Sequence, residues 1–136
     1  MLVTERIDAA LAAMAARAQE LGVTGVAVVL ESAEGADRLS PHFLIVERAE
    51  RKPNRGPEDA GTNYLAVSFS KVAEMFVTGA DSGHAGREPR TGEFGYRGGV
   101  ISPGETWLYP SFSGGTQDED VEIARAGMAF MIGSAD

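Results

Sequence analysis

The feature that most limits what this chain can fold into is an abrupt change of hydrophobic period at Gly22. From Thr4 to Leu21 the apolar residues Ile7, Leu11, Met14, Ala18 and Leu21 recur at spacings of four, three, four and three, one stripe of an amphipathic helix. Gly22 supplies the C-terminal stop. Directly after it, "VTGVAVVLE" (Val23 to Glu31) is β-branched and apolar and reads as a buried strand, with "HFLIVER" (His42 to Arg48) as its neighbour. Helix and strand therefore have to share one core.

The rest of the chain continues the alternation. "RAERKPNRGPEDAGTN" (Arg48 to Asn63) has the prolines, glycines and charges of a loop, long enough to suggest a functional or moving segment. "TNYLAVSFSKVAEMFVTG" (Thr62 to Gly79) places Leu65, Val72 and Met75 or Phe76 at helical spacing, with Ala66, Phe69 and Ala73 as a second apolar face, so a largely buried helix is expected. A second glycine-rich loop covers Ala80 to Gly95. "YRGGVI" and "TWLYPSFS" then read as a hairpin turning at "SPGE" (Ser102 to Glu105), with Pro110 marking the second arm as an edge or bulged strand. A last helix is predicted from Gln117 to Ile132, with Val121, Ala124 and Met128 on one face. Thr116 and Glu119 form a T-x-x-E capping box at its start.

Composition narrows the classes. With 136 residues, 43% of them hydrophobic and 24% charged, the chain is expected to be a single soluble domain over residues 1–136. No apolar run approaches the length of a membrane span and no signal peptide is visible, so a cytoplasmic protein without a membrane partner is expected. The absence of cysteine excludes disulfides, thiolate catalysis and Cys-ligated metals. A net charge of -8 argues against nucleic acid as a partner. Eight of the twelve basic residues nevertheless lie between Arg48 and Arg97, which makes the middle of the chain its cationic part.

Candidate site residues follow from that distribution. Lys71 sits in an otherwise apolar helical pattern, where burial would lower its pKa toward a base or nucleophile; the alternative is a lysine snorkelling at the helix edge. Tyr64, seven residues earlier, shares its face. His42 and His84 are the only histidines, so a multi-histidine metal site within the chain is nearly excluded and no metal site is expected. His42 reads as structural. His84, beside Arg87 and Arg90, reads as an axial ligand, an acid–base group or a plain loop residue. Arg55, Arg87 and Arg90 on the two loops suit a carboxylate-bearing ligand, unless Glu58, Asp59, Glu88 and Glu93 neutralise them from within. The "SGGT" corner before the last helix is either an anion-accepting nest or a tight helix start; the acids Asp118, Glu119 and Asp120 favour the helix start.

The segment "SGGTQDEDVEIARAG" resembles the closing motif of the GlcG/HbpS family, and "ELGVTGVAVVLE", "SFSKVAEM" and "GGVI" are similar to its first strand, middle helix and G-G-V strand. The two long loops and "YPSFSGGT" depart from the family pattern. The resemblance implies an α+β fold, a profilin-like α/β sandwich with an antiparallel sheet flanked by helices, in a homo-oligomer. It also implies a ligand-binding role, with haem as a cofactor of several members and of the related C-terminal domain of PduO-type adenosyltransferases. On that footing the chain is expected to bind haem or another small anionic molecule, with His84, Arg87, Arg90 and Arg55 as the contacts. The alternative is a metal-free lyase, isomerase or hydrolase for a small organic acid, with Lys71, Tyr64 and His84 as acid–base groups. An oligomeric accessory protein with a vestigial pocket is a third reading.

Overall fold

A computed structural model describes residues 3–33, 39–49, 51–52, 58, 60–84, 86–101 and 106–132. The element order is α1 (Val3–Leu21), β1 (Gly25–Ala33), β2 (Ser40–Val46), β3 (Arg51–Lys52), β4 (Thr62–Asn63), α2 (Tyr64–Thr78), β5 (Thr106–Ser113) and α3 (Gln117–Ile132). The strands β2, β1 and β5 form an antiparallel sheet in that order, and β3 pairs with β4 as a two-residue ribbon. Helices pack on both faces of the sheet, giving an α+β sandwich.

The alternation along β1 assigns the faces. Ala27 and Val29 point toward α1 and α3, where they meet Ile7, Leu11, Met14, Phe112 and Ile123. Val26, Val28 and Leu30 point the other way, toward Val72 and Met75 of α2 and Tyr109 of β5. A strand covered on both sides has no polar face, which is why "VAVVL" is apolar without interruption. Each fully buried Val, Ile, Phe or Met contributes about 1.5–3 kcal/mol.

The stripe predicted for α1 is the one that is buried: Ile7, Met14 and Ala18 are fully covered. The α3 stripe holds at Ala124 and Met128 but is rotated slightly, because Ile123 is fully buried while Val121 is half-buried. Gly127 explains the rotation. A Cβ there would lie 2.8 Å from Met14 Sδ, so its absence lets α3 close on α1 along the line of Ile123 and Gly127. The capping box forms in full, with Glu119 N donating to Thr116 Oγ1 at 3.2 Å and Thr116 N donating to Glu119 Oε1 at 2.8 Å.

Three expectations change. The strand predicted through Arg48 ends at Val46, because Glu47 and Arg48 take positive φ and turn the chain, with Ala49 N donating to Val46 O. The hairpin arm at Tyr96–Ile101 is reduced to one bridge, Gly99 to Ser111, flanked by Val100 N to Pro110 O and Phe112 N to Gly98 O. Pro110 therefore turns its nitrogen, which carries no hydrogen, toward this partial strand and not toward β1, in keeping with an edge position. The turn predicted at Ser102 to Glu105 lies outside the described residues.

The third change bears on function. In α2, the apolar Ala66, Ala73, Phe76 and Val77 are exposed and Phe69 is half-buried, while Ser68, Lys71 and Glu74 are buried beside Val72 and Met75. Asn63 caps this helix by accepting from Ala66 N, and Gly79 ends it in the left-handed conformation. Burying three polar side chains is tolerable only if each finds a partner. Glu74 accepts from Gly83 N at 2.6 Å, and Ser68 Oγ lies 3.1 Å from Val26 O and 2.8 Å from Ser111 Oγ. The third residue, Lys71, defines the site.

Candidate functional site

Lys71 Nζ donates to Phe112 O at 2.6 Å and to Asp120 Oδ2 at 3.1 Å. Asp120 Oδ1 in turn accepts from Gly115 N at 2.9 Å. Lys71 is 3% exposed and Asp120 4%, so the chain carries a buried ion pair joining α2, β5 and the start of α3. The lysine is not snorkelling. Burial pushes the Lys71 ammonium pKa down, against the opposing pull of Asp120. Burial likewise pushes the Asp120 carboxyl up, against Lys71 and the Gly115 amide.

Space for this pair is made by glycine. At Gly98, where φ is +130°, an added Cβ would lie 2.5 Å from Lys71 Nζ and 2.8 Å from Asp120 Cβ. The adjacent Gly99 admits Met75, whose Cε would lie 2.6 Å from a Cβ there. The "GG" of the G-G-V segment thus lets the partial strand pass over the buried polar pair.

The pair opens onto a cavity of about 350 Å³ lined by Tyr64, Lys71, Tyr96, Ser113, Thr116 and Asp120, together with the glycines of the corner. Its volume is in the range of small-molecule sites. Ser111 and Ser113 alternate along β5, paired with Val28 and Val26 of β1, and so face α2. Ser111 Oγ is satisfied by Ser68. Ser113 is 1% exposed, and its Oγ has no hydrogen-bond partner among the described residues. Leaving a buried hydroxyl unsatisfied costs about 1–3 kcal/mol.

The three acids in the first turn of α3 are each committed. Asp118 pairs with Arg97 at 2.7 Å, Glu119 closes the capping box and Asp120 holds Lys71. The positive end of α3 and its glycine corner border the cavity with Lys71 beside them. The "SGGT" segment is therefore both a helix start and a cavity wall. The S-x-x-K spacing of Ser68 and Lys71 does not make a serine–lysine dyad, because Lys71 bonds Phe112 O and Asp120 while Ser68 bonds β1 and β5.

The sequence candidates divide among three places. Lys71 and Tyr64 line the same cavity, as the shared helix face predicts. His84 is exposed and borders a different cavity of about 490 Å³ with Arg97 and Arg125. Arg87 borders a third, of about 670 Å³, and is held there by Glu93 through bonds of 2.8 and 3.0 Å. Arg90 is exposed, its backbone N donating to the same carboxylate at 3.0 Å. His84, Arg87 and Arg90 thus do not line one cavity. Arg55 lies outside the described residues.

The Arg87 fork and the Arg90 amide hold Glu93 down to about 2, below its ordinary value of 4.5. A depressed carboxylate contributes stability that is present above pH 4.5 and lost as the pH falls through about 2. Glu93→Gln is accordingly expected to lower the thermal midpoint relative to wild type near neutrality, and the difference should vanish as acid scans approach pH 2. A difference that persists unchanged at that pH would mean the ion pair does not hold the loop.

Ser113, Tyr96 and Asp120 also belong to the cavity, although the sequence marks Asp120 only as an acid of the helix start and does not mark the other two as site residues. Two patterns point to them: polar residues every third position in α2 at Ser68, Lys71 and Glu74, and the serine alternation at Ser111 and Ser113. Among the described residues, no group of three or more His, Cys, Asp or Glu is placed to hold a metal ion, and no helix is long and apolar enough to cross a membrane. The chain matches no family model, no curated protein and no solved structure.

Proposed function

We propose that this is a small-molecule binding protein of the GlcG/HbpS type whose ligand is a small organic acid, seated in the cavity beside Lys71. The observation that carries the reading is Ser113, a residue of the cavity wall whose buried Oγ has no partner among the described residues. A ligand oxygen supplies that partner. The ligand carboxylate takes the end of the cavity at Lys71, whose ammonium has one hydrogen beyond those given to Phe112 O and Asp120, and the Tyr64 and Tyr96 side chains flank the remainder.

Haem, which the resemblance implies, does not suit the described residues around His84. Of the side chains on that cavity only Val100 and Val121 are apolar, whereas a macrocycle needs apolar cover on its faces. Arg87, the expected propionate contact, borders another cavity and is held by Glu93. A haemin titration of the apoprotein is expected to give no saturable Soret shift that depends on His84. The homo-oligomer and the cytoplasmic location are carried by the resemblance and the sequence, and light scattering tests the first.

Calorimetric titration with pyruvate and lactate tests the main reading. Ser113→Ala removes a hydroxyl that bonds nothing among the described residues, so it is expected to leave the thermal midpoint unchanged or raised while weakening binding about tenfold or more. Binding that survives Ser113→Ala intact, or no binding of either acid, contradicts it. A second reading as a metal-free acid–base enzyme rests on Lys71, whose pKa burial lowers, sharing the cavity with Tyr64. It requires deuterium exchange into bound pyruvate that is lost in Tyr64→Phe.

A further inference from the structure

We propose that the cavity at His84 is a second binding site, independent of the first, and that it takes a small zwitterionic α-amino acid. It shares no lining residue with the Lys71 cavity. The inference comes from the charges on its wall. Arg97 is paired with Asp118 at 2.7 Å, and Glu122 is engaged by Arg17 of α1. Subtracting those pairs leaves one carboxylate and one guanidinium. Among the described residues, Asp81 has only a backbone donor, Ile101 N at 2.9 Å, and Arg125 makes no ion pair or hydrogen bond. The exposed His84 imidazole borders the same cavity and has no partner among the described residues.

A plain anion would answer Arg125 and leave Asp81 unmet, while a plain amine would do the reverse. A ligand with an ammonium group and a carboxylate one carbon apart answers both: the ammonium meets Asp81, and the carboxylate meets Arg125 with His84 as a further hydrogen-bonding group. Val100 and Val121 give the wall an apolar portion for a short side chain. The polar groups sit on supported elements. Ser82 N donates to Gly99 O, Gly99 N donates to Ser82 Oγ at 2.9 Å, and His84 N donates to Asp81 O, so the turn bearing Asp81 and His84 is fastened to the partial strand. Arg125 projects from the middle of α3. Such support reduces the ordering that binding requires.

The chain has two histidines, so its imidazole NMR resonances report the site directly, with His42 on β2 as the internal control. The full-length protein is titrated with glycine, L-alanine and L-valine, then with isovalerate and isobutylamine, the two half-ligands of valine. At least one amino acid is expected to shift His84 saturably. The half-ligands are expected to bind at least tenfold more weakly than valine, or not at all where valine itself fails. Asp81→Asn, which keeps an acceptor for Ile101 N, and Arg125→Gln should each weaken the amino acid at least fivefold, while Ser113→Ala leaves it unchanged. Isovalerate binding as tightly as valine would make this a plain anion site. That result overturns the proposal, as does no saturable shift with any amino acid, or shifts indifferent to both substitutions. None of these outcomes touches the Lys71 cavity, whose own test uses Ser113.

Discussion

Gly114→Ala is expected to destabilise the protein by about 3 kcal/mol or more, enough to leave little folded material. At Gly114 φ is +146°, and a Cβ there would lie 2.0 Å from Thr24 O and 2.8 Å from Gly25 Cα. Gly25 is the reciprocal case, at φ +155°, with a Cβ 2.0 Å from Ser113 O. Both clashes are with backbone, which cannot swing aside as a long side chain can. The start of β1 and the end of β5 are thus pressed together by two facing glycines, and the corner that begins α3 depends on their contact. Urea unfolding checks the expectation. A variant within 1 kcal/mol of wild type would mean that the corner is looser than described.

Lys71→Met is expected to cost about 3–5 kcal/mol near neutral pH, because it leaves Asp120 buried without its counter-charge. Asp120 can then answer only by taking a proton. Burial already holds its folded pKa above the ordinary 3.8, and losing Lys71 raises it further. For a carboxyl raised in the folded state, stability is fully present below pH 3.8 and is lost as the pH rises through the folded value. The deficit of Lys71→Met should therefore be smallest in acid and grow toward neutrality. The double variant Lys71→Met, Asp120→Asn removes both charges and keeps an acceptor for Gly115 N, so it should recover most of the loss. A single variant that costs under about 1 kcal/mol, or a loss that the double variant does not relieve, would contradict the buried pair.

These two results would also account for what the sequence displays and what it conceals. The helices α1 and α3, the strand β1 and the cap at Thr116 were legible because each is decided by local period or local chemistry. The partial strand at Gly98 to Ile101 was not, since whether it pairs along its length depends on Pro110 opposite it and on the bulk of Lys71 beneath it. In α2 the stripe of Leu65, Val72 and Met75 packs on the sheet, but the second apolar face fails at Ala66 and Ala73, which are exposed, for a physical reason. Ser68, Lys71 and Glu74 are buried by partners 42, 41 to 49 and 9 residues away in sequence, and no helical window contains those partners. Lys71 and Tyr64 were found because they share one helix face; Asp120 and Ser113 join them only through the fold. The arginine-rich loops pointed toward a ligand on composition, yet Glu93 answers Arg87 and Asp118 answers Arg97.

Completion of Ser113 Oγ by a bound organic acid can be seen directly in a crystal structure of the protein grown with pyruvate or lactate. A ligand oxygen is expected within hydrogen-bond distance of Ser113 Oγ, with the carboxylate toward Lys71 and the start of α3. Ligand density elsewhere on the surface, or a Ser113 hydroxyl left without a ligand contact at concentrations where calorimetry shows saturation, would contradict it.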